Sequence, residues 1–317
     1  MISAFKRLGL PLDIVRLIWR EYLDPTYRFA IWAHVTNDQP QIIFPREYIL
    51  KATIAGHLPV IQWARVNGCV LYDGDRSTSA NIVCAAAAAN GHLHILQWLR
   101  SNVHTKPCPW DKWTCAYAAK YGHINIIKWA RQNKCPYDET ACIYAAKGGH
   151  LKTLQWLRNG NDNIDIDGKV IRPCPWDAHT AVAAAKAGHL HVLQWARENG
   201  CPWNKRVIVF AALKGHLHIV QWAHVSGCPW DYNACSAAAY NGHLGVLQWL
   251  RDDSKPSGEV CPWNGFTCGH AALGGHLHVL KWAKAHGAPW NSSVRTNAER
   301  NKHTHIINWL NELVPSS

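Results

Sequence analysis

The sequence predicts an all-α solenoid, in which helix–turn–helix units stack around one continuous core. The first observation is a phrase, Gly-His-Leu-x-Val-Leu-Gln-Trp, that recurs with small changes along most of the 317 residues. The second is its period, because the copies that end at Trp195, Trp222 and Trp249 follow one another at intervals of 27 residues. The third is the alanine-rich segment that precedes most copies. A unit of this size cannot bury its apolar face alone, so it must stack on its neighbours. The tryptophans that end the copies are Trp63, Trp98, Trp129, Trp156, Trp195, Trp222, Trp249, Trp282 and Trp309.

The cleanest unit shows each element in order. It opens with the apolar segment Val207–Leu213, which we interpret as a first helix because neighbouring copies are rich in alanine. Gly215 follows at a tight turn that requires a positive φ. Apolar residues then recur at helical spacing over Leu217–Ala223, which predicts a second helix. Gly227 ends that helix, and Pro229 just beyond it cannot continue it.

This pattern resembles the ankyrin repeat over about residues 45–310. Ala211-Ala212 match the alanine pair of the family, and Gly215-His216-Leu217 match its Gly-His-Leu phrase. Trp222 takes the place of a leucine, and the loop Gly227–Asp231 takes the place of Gly-Ala-Asp-Val-Asn. Ordinary ankyrin units have about 33 residues, and the residues missing here are those of the β-hairpin finger. We therefore predict shortened units without fingers, about nine of them within residues 45–317.

The Cys-Pro-Trp-Asp/Asn loop resembles the ankyrin arrays encoded by giant DNA viruses and some protists. The resemblance implies a non-enzymatic protein–protein interaction scaffold that is virus-encoded and binds a host or virion protein. We expect no cofactor, because nucleophile-elbow, dinucleotide-binding and phosphate-loop motifs are absent. The sequence also has no apolar run near the ~20 residues that span a membrane. We expect an intracellular protein of the host cytoplasm or nucleus, or of the virion.

Residues 1–44 lie outside the repeat, and two interpretations of them stay open. The segment that begins Leu10-Pro11 and continues through Ile14 and Ile18 resembles the first helix of an F-box. An F-box would make the chain a substrate receptor of a cullin ubiquitin ligase, and these four residues would bind a Skp-type adaptor. The alternative, which we favour, is a capping helix that covers the first repeat.

The cysteines and tryptophans follow the repeat rather than any catalytic pattern. Six cysteines share one loop position, where the last copy has Ala288. Another set shares a first-helix position that also accepts Ala181 and Ile208. Positions that accept such residues favour small buried groups, so we expect reduced core thiols. Most tryptophans likewise occupy two repeat positions, and we expect them to pack between neighbouring repeats.

The histidines recur as His-x-His, for example His189 and His191. Residues two apart on a helix point in roughly opposite directions, so we expect these pairs not to share a metal ion. We expect the histidine of each Gly-His phrase to hold the turn by hydrogen bonding. These residues are His57, His92, His123, His150, His189, His216, His243 and His276.

The net positive charge of the chain bears on the kind of partner it would bind. Lysine and arginine total 33 against 21 acidic residues, and residues 100–158 are the most basic stretch. We expect partner-binding cations in two rows, one at the turn edge and one on the second helices. A solvated face that serves solubility is one interpretation of this charge, and binding to a partner is the other. For a partner, two separate rows favour an acidic protein over a nucleic acid. The candidate residues are Lys120, Lys128, Arg131, Lys147 and Lys152.

The insertions between repeats are further candidates for partner binding, because loops carry function more often than core residues do. The longest, Asn159–Arg172, contains three acidic residues, Asp162, Asp165 and Asp167. It lacks the closing glutamate of a calcium-binding loop, so we expect partner binding rather than a metal. Three of the insertions follow the sequence Trp-Leu-Arg.

Overall fold

The computed structural model describes residues 46–66, 81–101, 107–159, 172–254 and 258–313, with the side chains of 46–48, 63 and 66 left aside. Over these ranges the chain forms eighteen α-helices and no strand, which confirms the predicted all-α fold and shows no β-hairpin finger there. Residues 1–44 lie outside the described part. The helices are α1 Arg46–Ile54, α2 Leu58–Val66, α3 Ile82–Ala89, α4 Leu93–Arg100, α5 Lys112–Lys120, α6 Ile124–Gln132, α7 Thr140–Gly148, α8 Leu151–Asn159, α9 Ala178–Ala187, α10 Leu190–Glu198, α11 Arg206–Leu213, α12 Leu217–Val225, α13 Tyr232–Tyr240, α14 Leu244–Arg251, α15 Gly265–Leu273, α16 Leu277–Ala285, α17 Ser293–Arg300 and α18 Thr304–Glu312.

The helices divide between two compact units. One comprises Met1–Ala145 with Lys152–Pro175, and the other comprises Ala146–Leu151 with Trp176–Ser317. In the first unit, α3 packs against α5. In the second, the first helices α9, α11, α13, α15 and α17 pack in succession, each against the next. Each unit is thus a stack of helix pairs, the arrangement that the resemblance to ankyrin repeats implies.

Alanine lets the first helices approach closely. In α5 the residues that face its neighbours are Ala116, Ala118 and Ala119, and all three are fully buried. Larger aliphatic residues of the second helices complete the core, for example Leu193 of α10 and Ile127 of α6, which are also fully buried. The period of 27 residues therefore accommodates two short helices. The first helix has small buried side chains, and the second has large ones.

In several repeats, the turn between the helices is bonded to the histidine of the next repeat. His92 Nε2 lies 3.0 Å from the Ile54 carbonyl oxygen, and His123 Nε2 lies 3.1 Å from that of Ala89. In both cases the ring N–H donates to the end of the preceding first helix. This confirms the prediction that these histidines form hydrogen bonds, and it shows that each bond joins two repeats.

The paired histidines do not point apart as expected. The rings of His92 and His94 meet edge to face with centroids 5.9 Å apart. The expectation was wrong because it assumed helical geometry for both residues. His92 is the N-cap of α4, with φ −87° and ψ 69°, and so lies outside the helix. The described residues nevertheless include no group of three or more side chains placed to hold a metal ion.

The cysteines of the described residues are buried thiols, as predicted. The loop cysteines return to the start of their own repeat: Cys135 Sγ donates to the Asp111 carbonyl at 3.4 Å, and Cys228 Sγ donates to that of Asn204 at the same distance. Burial raises the pKa of Cys228 to about 12. Cys228 is therefore a packing group in its protonated form.

The tryptophans form the predicted contacts between repeats. The loop Trp176 meets Trp195 edge to face at 5.8 Å, and Trp203 meets Trp222 at 5.7 Å. A cation adds to the contact in some repeats, as where Arg197 lies 4.6 Å from the centroid of Trp203. These rings are half-buried, so they cover the edge of the aliphatic core and do not fill it.

Hydrogen bonds hold the two ends of an insertion together. Where no insertion intervenes, the Cys135 N–H donates to the Ala130 carbonyl at 2.9 Å. The same bond spans an insertion from Cys261 to Leu250 at 3.0 Å. There, Arg251 Nη1 also donates to the Cys261 carbonyl at 2.6 Å. Arg100 and Arg158 make the equivalent bonds to Cys108 and Cys174. The arginine of Trp-Leu-Arg thus holds the repeat in register when residues are added.

Candidate functional site

A cluster of aromatic side chains lies on the outer face of the first helices α5 and α7. We call Trp113, Tyr117 and Tyr144 the aromatic cluster. Helix α5 begins where the Asp111 carboxylate accepts a hydrogen bond from the Trp113 N–H at 3.0 Å, as an N-cap does. Because Trp113 and Tyr117 are four residues apart in α5, their rings project from the same face.

The three rings pack against one another. The centroids of Trp113 and Tyr117 lie 6.1 Å apart, those of Trp113 and Tyr144 lie 5.7 Å apart, and those of Tyr117 and Tyr144 lie 5.6 Å apart. Trp113 remains 37% exposed, and Tyr121, one turn beyond Tyr117, is 47% exposed. Burial raises the pKa of Tyr144, which is therefore a neutral phenol near pH 7. The cluster presents rigid, partly exposed aromatic surface.

Two lysines flank the aromatic cluster. Lys112 pairs with the Asp138 carboxylate at 2.7 Å and lies 5.7 Å from the Trp113 ring. Lys120 donates to the Tyr121 hydroxyl at 2.9 Å, and this hydrogen bond raises its pKa. Both lysines are therefore charged near pH 7 beside the exposed rings.

Two carboxylates of this face, Asp111 and Asp138, are engaged within the protein. Asp111 accepts hydrogen bonds from the Trp113 N–H and from Asn81 Nδ2, the latter at 2.8 Å. Asp138 accepts from Lys112 and from Thr140. Burial opposes ionisation of Asp138, but these hydrogen bonds lower its pKa. The face consequently offers aromatic and cationic groups, while its two N-cap carboxylates are held in internal bonds.

The candidate cations lie on two sets of helices. Lys120 lies at the end of a first helix beside Tyr121, whereas Lys128 and Lys152 are exposed on the second helices α6 and α8. Lys128 Nζ lies 5.8 Å from the Trp156 ring. Lys147 is exposed near the end of α7, at the repeat position equivalent to Lys120.

Arg131 does not occupy the surface position expected of it. It is only 3% exposed. Its guanidinium donates to the Arg172 carbonyl and stacks 4.0 Å from the centroid of Tyr137. The prediction was wrong because Arg131 takes the place of the cation that covers the loop ring in other repeats, for example Arg197. Its charge fixes the loop and is not displayed to a partner.

The remaining candidate residues lie outside the described part of the chain. They are the acidic residues of the long insertion, Asp162, Asp165 and Asp167, and the F-box-like residues Leu10, Pro11, Ile14 and Ile18.

Sequence reasoning overlooked the aromatic cluster, although a signal was present. Tyr117 and Tyr144 stand at a repeat position that is alanine in other copies, such as Ala86 and Ala183. A large ring at a position where small residues suffice for packing indicates a role outside the core. Phe210 occupies the same position in the second unit, with Lys186 Nζ 5.3 Å from its centroid.

Comparison with known proteins agrees with this geometry. Residues 82–169, which include the aromatic cluster, match the family model for ankyrin repeats as three copies. No curated protein matches the chain. Over the described residues, no helix is both long and apolar enough to cross a membrane. Ankyrin repeats indicate a protein–protein interaction scaffold, and the family is typically non-enzymatic.

Proposed function

We propose that the first-helix face around the aromatic cluster binds an acidic segment of a partner protein. The observation that supports this most is the combination of exposed, mutually packed rings with flanking lysines. Large rigid aromatics dominate the energetics of protein interfaces because they bury much area at little entropic cost. The lysines add a positive field that attracts carboxylates and repels basic segments.

A protein partner fits this face better than a nucleic acid. Single-stranded nucleic acids stack their bases on open ring faces. In the aromatic cluster, Tyr144 meets Trp113 at an interplanar angle of 68° and Tyr117 at 84°, so the rings cover part of one another's faces. The cations on α6 and α8 also lie on different helices from Lys120, which suits a diffuse field better than a phosphate groove.

The origin and setting of the scaffold extend the same proposal. From the Cys-Pro-Trp loops, we propose that the chain is virus-encoded, that its partner is a host or virion protein, and that it acts in the host cytoplasm or nucleus or in the virion. The F-box-like segment supports an alternative, in which Leu10, Pro11, Ile14 and Ile18 bind a Skp-type adaptor. The first-helix face would then hold the substrate of a ubiquitin ligase.

A peptide-display selection on the full chain tests the binding face. We expect selected peptides to be acidic, to bind less tightly at higher salt, and to bind Trp113→Ala at least tenfold more weakly. Phe266→Ala is the matched control, because Phe266 is an exposed ring at the equivalent position of α15. Selected peptides that are neutral or basic, or that bind Trp113→Ala as well as the unaltered chain, would refute the proposal.

Two further measurements separate the alternatives. Salt-sensitive, submicromolar binding of duplex DNA or RNA that is lost on Lys120→Glu would favour a nucleic acid. Pull-down of a Skp-type adaptor by the full chain, but not by a chain that starts at Phe44, would favour the ubiquitin-ligase receptor.

A further inference from the structure

His224 stands at a repeat position where most copies carry a permanent cation. The residue two after the marker tryptophan is an arginine in the neighbouring repeats, Arg197 before His224 and Arg251 after it. Both guanidinium groups lie over the loop tryptophan of their own repeat, 4.6 and 4.1 Å from the ring centroid. His224 brings to this position a side chain that ionises near neutral pH.

The His224 ring takes the place of that cation. It stacks on the loop Trp230, with centroids 3.9 Å apart and an interplanar angle of 18°, and it meets Trp249 of α14 edge to face at 5.8 Å. Its Nε2 lies 4.0 Å from a carboxylate oxygen of Glu259, and only 10% of the His224 side chain is exposed. Protonation adds a cation–aromatic contact and an ion pair to this packing.

Glu259 lies at the end of the insertion that follows α14, two residues before Cys261. The first unit contains the equivalent contact. There Arg131 donates to the carbonyl of Arg172, which stands two residues before Cys174 at the end of the preceding insertion. In both units, the cation position of one repeat thus bonds to the same position at the end of the next repeat's insertion. The contact in the first unit is permanent, whereas the ion pair in the second requires protonation of an imidazole.

Other charged side chains lie on the elements around His224, and several of them have partners elsewhere. Asp231 pairs with Lys205 at 2.8 Å, and Arg251 donates to the Cys261 carbonyl. Asp252 accepts a hydrogen bond from the Ser254 N–H at 2.9 Å. Among the described residues, Glu259 is the carboxylate that pairs with the ring. The titratable and charged residues of these elements are Arg197 and Glu198 of α10, Lys205 and Arg206 at the start of α11, His216 and His218 at the start of α12, Asp231 of the following loop, Arg251 of α14, and Asp252, Asp253 and Glu259 of the insertion.

We propose that His224 is a pH-dependent tether, which holds the end of the insertion, Gly258–Val260, against the preceding repeat when its ring is protonated. The ring N–H then donates to the Glu259 carboxylate in a charge-assisted bond. This contribution is present at low pH and is lost as the pH rises and the ring loses its proton. Burial lowers the pKa of the turn residue His216, which gives the opposite dependence, so the test needs a local measurement. The inference does not depend on the function proposed for the first-helix face.

Hydrogen exchange on the full chain, detected by NMR at about pH 5.5 and about pH 7.5 and corrected for intrinsic rates, measures the protection of the Cys261 amide. This amide donates to the Leu250 carbonyl directly after the tethered segment. The Cys201 amide is the internal reference, because it donates to the Ala196 carbonyl across a loop without an insertion.

Four variants separate the charge of His224 from its packing. His224→Arg restores the permanent cation of the other repeats, and His224→Gln removes the titrating group. Glu259→Gln keeps the imidazole and removes the carboxylate from an exposed side chain. His286→Gln is the matched control, because His286 also stacks on a tryptophan, Trp282, with centroids 4.2 Å apart. Circular dichroism and melting temperature verify that each variant is folded.

In the unaltered chain and in His286→Gln, we expect the protection of Cys261 relative to Cys201 to be about fivefold higher at the lower pH. His224→Arg should be well protected at both pH values and His224→Gln poorly protected at both, while Glu259→Gln should show a smaller rise. A ratio that does not change with pH in the unaltered chain, or a rise that persists in either His224 variant, would overturn the proposal. If a His224 variant does not fold, NMR titration of the His224 ring decides, because an unchanged midpoint in Glu259→Gln would reject the tether.

Discussion

The imidazole of His216 lies so close to Gly188 that a Cβ on that glycine would come within 2.9 Å of the ring. Gly188 also has a φ of +87°, a conformation that L-residues with side chains rarely adopt. The Gly-His phrase therefore joins two constraints, a turn inside one repeat and the docking of the next. At the last copy, where no following repeat is described, Lys302 takes the glycine position with a φ of 56°.

Gly188→Ala should destabilise the chain more than Gly227→Ala. Both glycines have positive φ, so each substitution costs about 1 kcal/mol in backbone strain. A Cβ at Gly227 meets nothing within 4 Å, whereas at Gly188 it displaces the His216 ring. Urea unfolding of the two variants isolates the repeat–repeat contact. Equal losses would show that only the backbone conformation matters.

Leu193→Ala should cost more than Trp195→Ala. Leu193 is fully buried, so its truncation leaves a cavity and costs about 2–5 kcal/mol. Trp195 is half-buried against Trp176, so its truncation leaves less of a cavity and should cost less than that of Leu193. Cys201→Ala should cost little, because the equivalent residue in the last repeat is Ala288. Calorimetric melting gives the order, and a loss at Cys201 equal to that at Trp195 would contradict it.

Stability should fall as the pH drops from about 7 to 5. Burial lowers the pKa of His189, His216 and His276 in the folded state. A lowered folded pKa means that the neutral ring is favoured, so the contribution is complete above the unfolded value of about 6.5 and is lost as the pH falls through the folded value. The pKa values of Asp138, Asp177 and Asp231 are lowered, so these carboxylates titrate below this window. Melting temperatures across this range test the prediction, and a constant or rising value toward pH 5 would contradict it.

Arg251→Ala should destabilise more than Arg197→Ala. Both guanidinium groups stack on a loop tryptophan, at 4.1 and 4.6 Å from the ring centroid. Arg251 also donates to the Cys261 carbonyl across the insertion, and a charged hydrogen bond contributes about 1.5–3 kcal/mol. Hydrogen exchange should report faster exchange at the Cys261 amide in Arg251→Ala. Unchanged exchange there would show that the backbone bond to Leu250 closes the insertion unaided.

The repeat made the helices, the turns and the buried cysteines predictable, because each position is sampled many times in one chain. The positions that accept Cys, Ala or Ile could be assigned to the core from that sampling alone. Arg131 could not be placed, since its burial depends on the Arg172 carbonyl at the end of an insertion, which is distant in sequence, as well as on the ring of Tyr137. The histidine pairs were misjudged because a helical period was applied across an N-cap.

The aromatic cluster was not predicted because its residues differ from the repeat pattern. Averaging over repeats emphasises what the copies share, whereas Trp113, Tyr117 and Tyr144 are departures from the shared pattern. In a repeat protein the common residues describe the fold, and the exceptions on exposed faces are the better guide to a partner.

The closed base of the insertions has a consequence for how such a chain changes over time. Since Cys261 returns to Leu250 whatever lies between them, the length of that segment is uncoupled from the spacing of the helices. Residues can be gained or lost there without moving the next helix pair. Each Trp-Leu-Arg copy is thus a permissive junction, at which new recognition elements can be tried while the scaffold stays unaltered, and at which an engineer could graft a foreign loop.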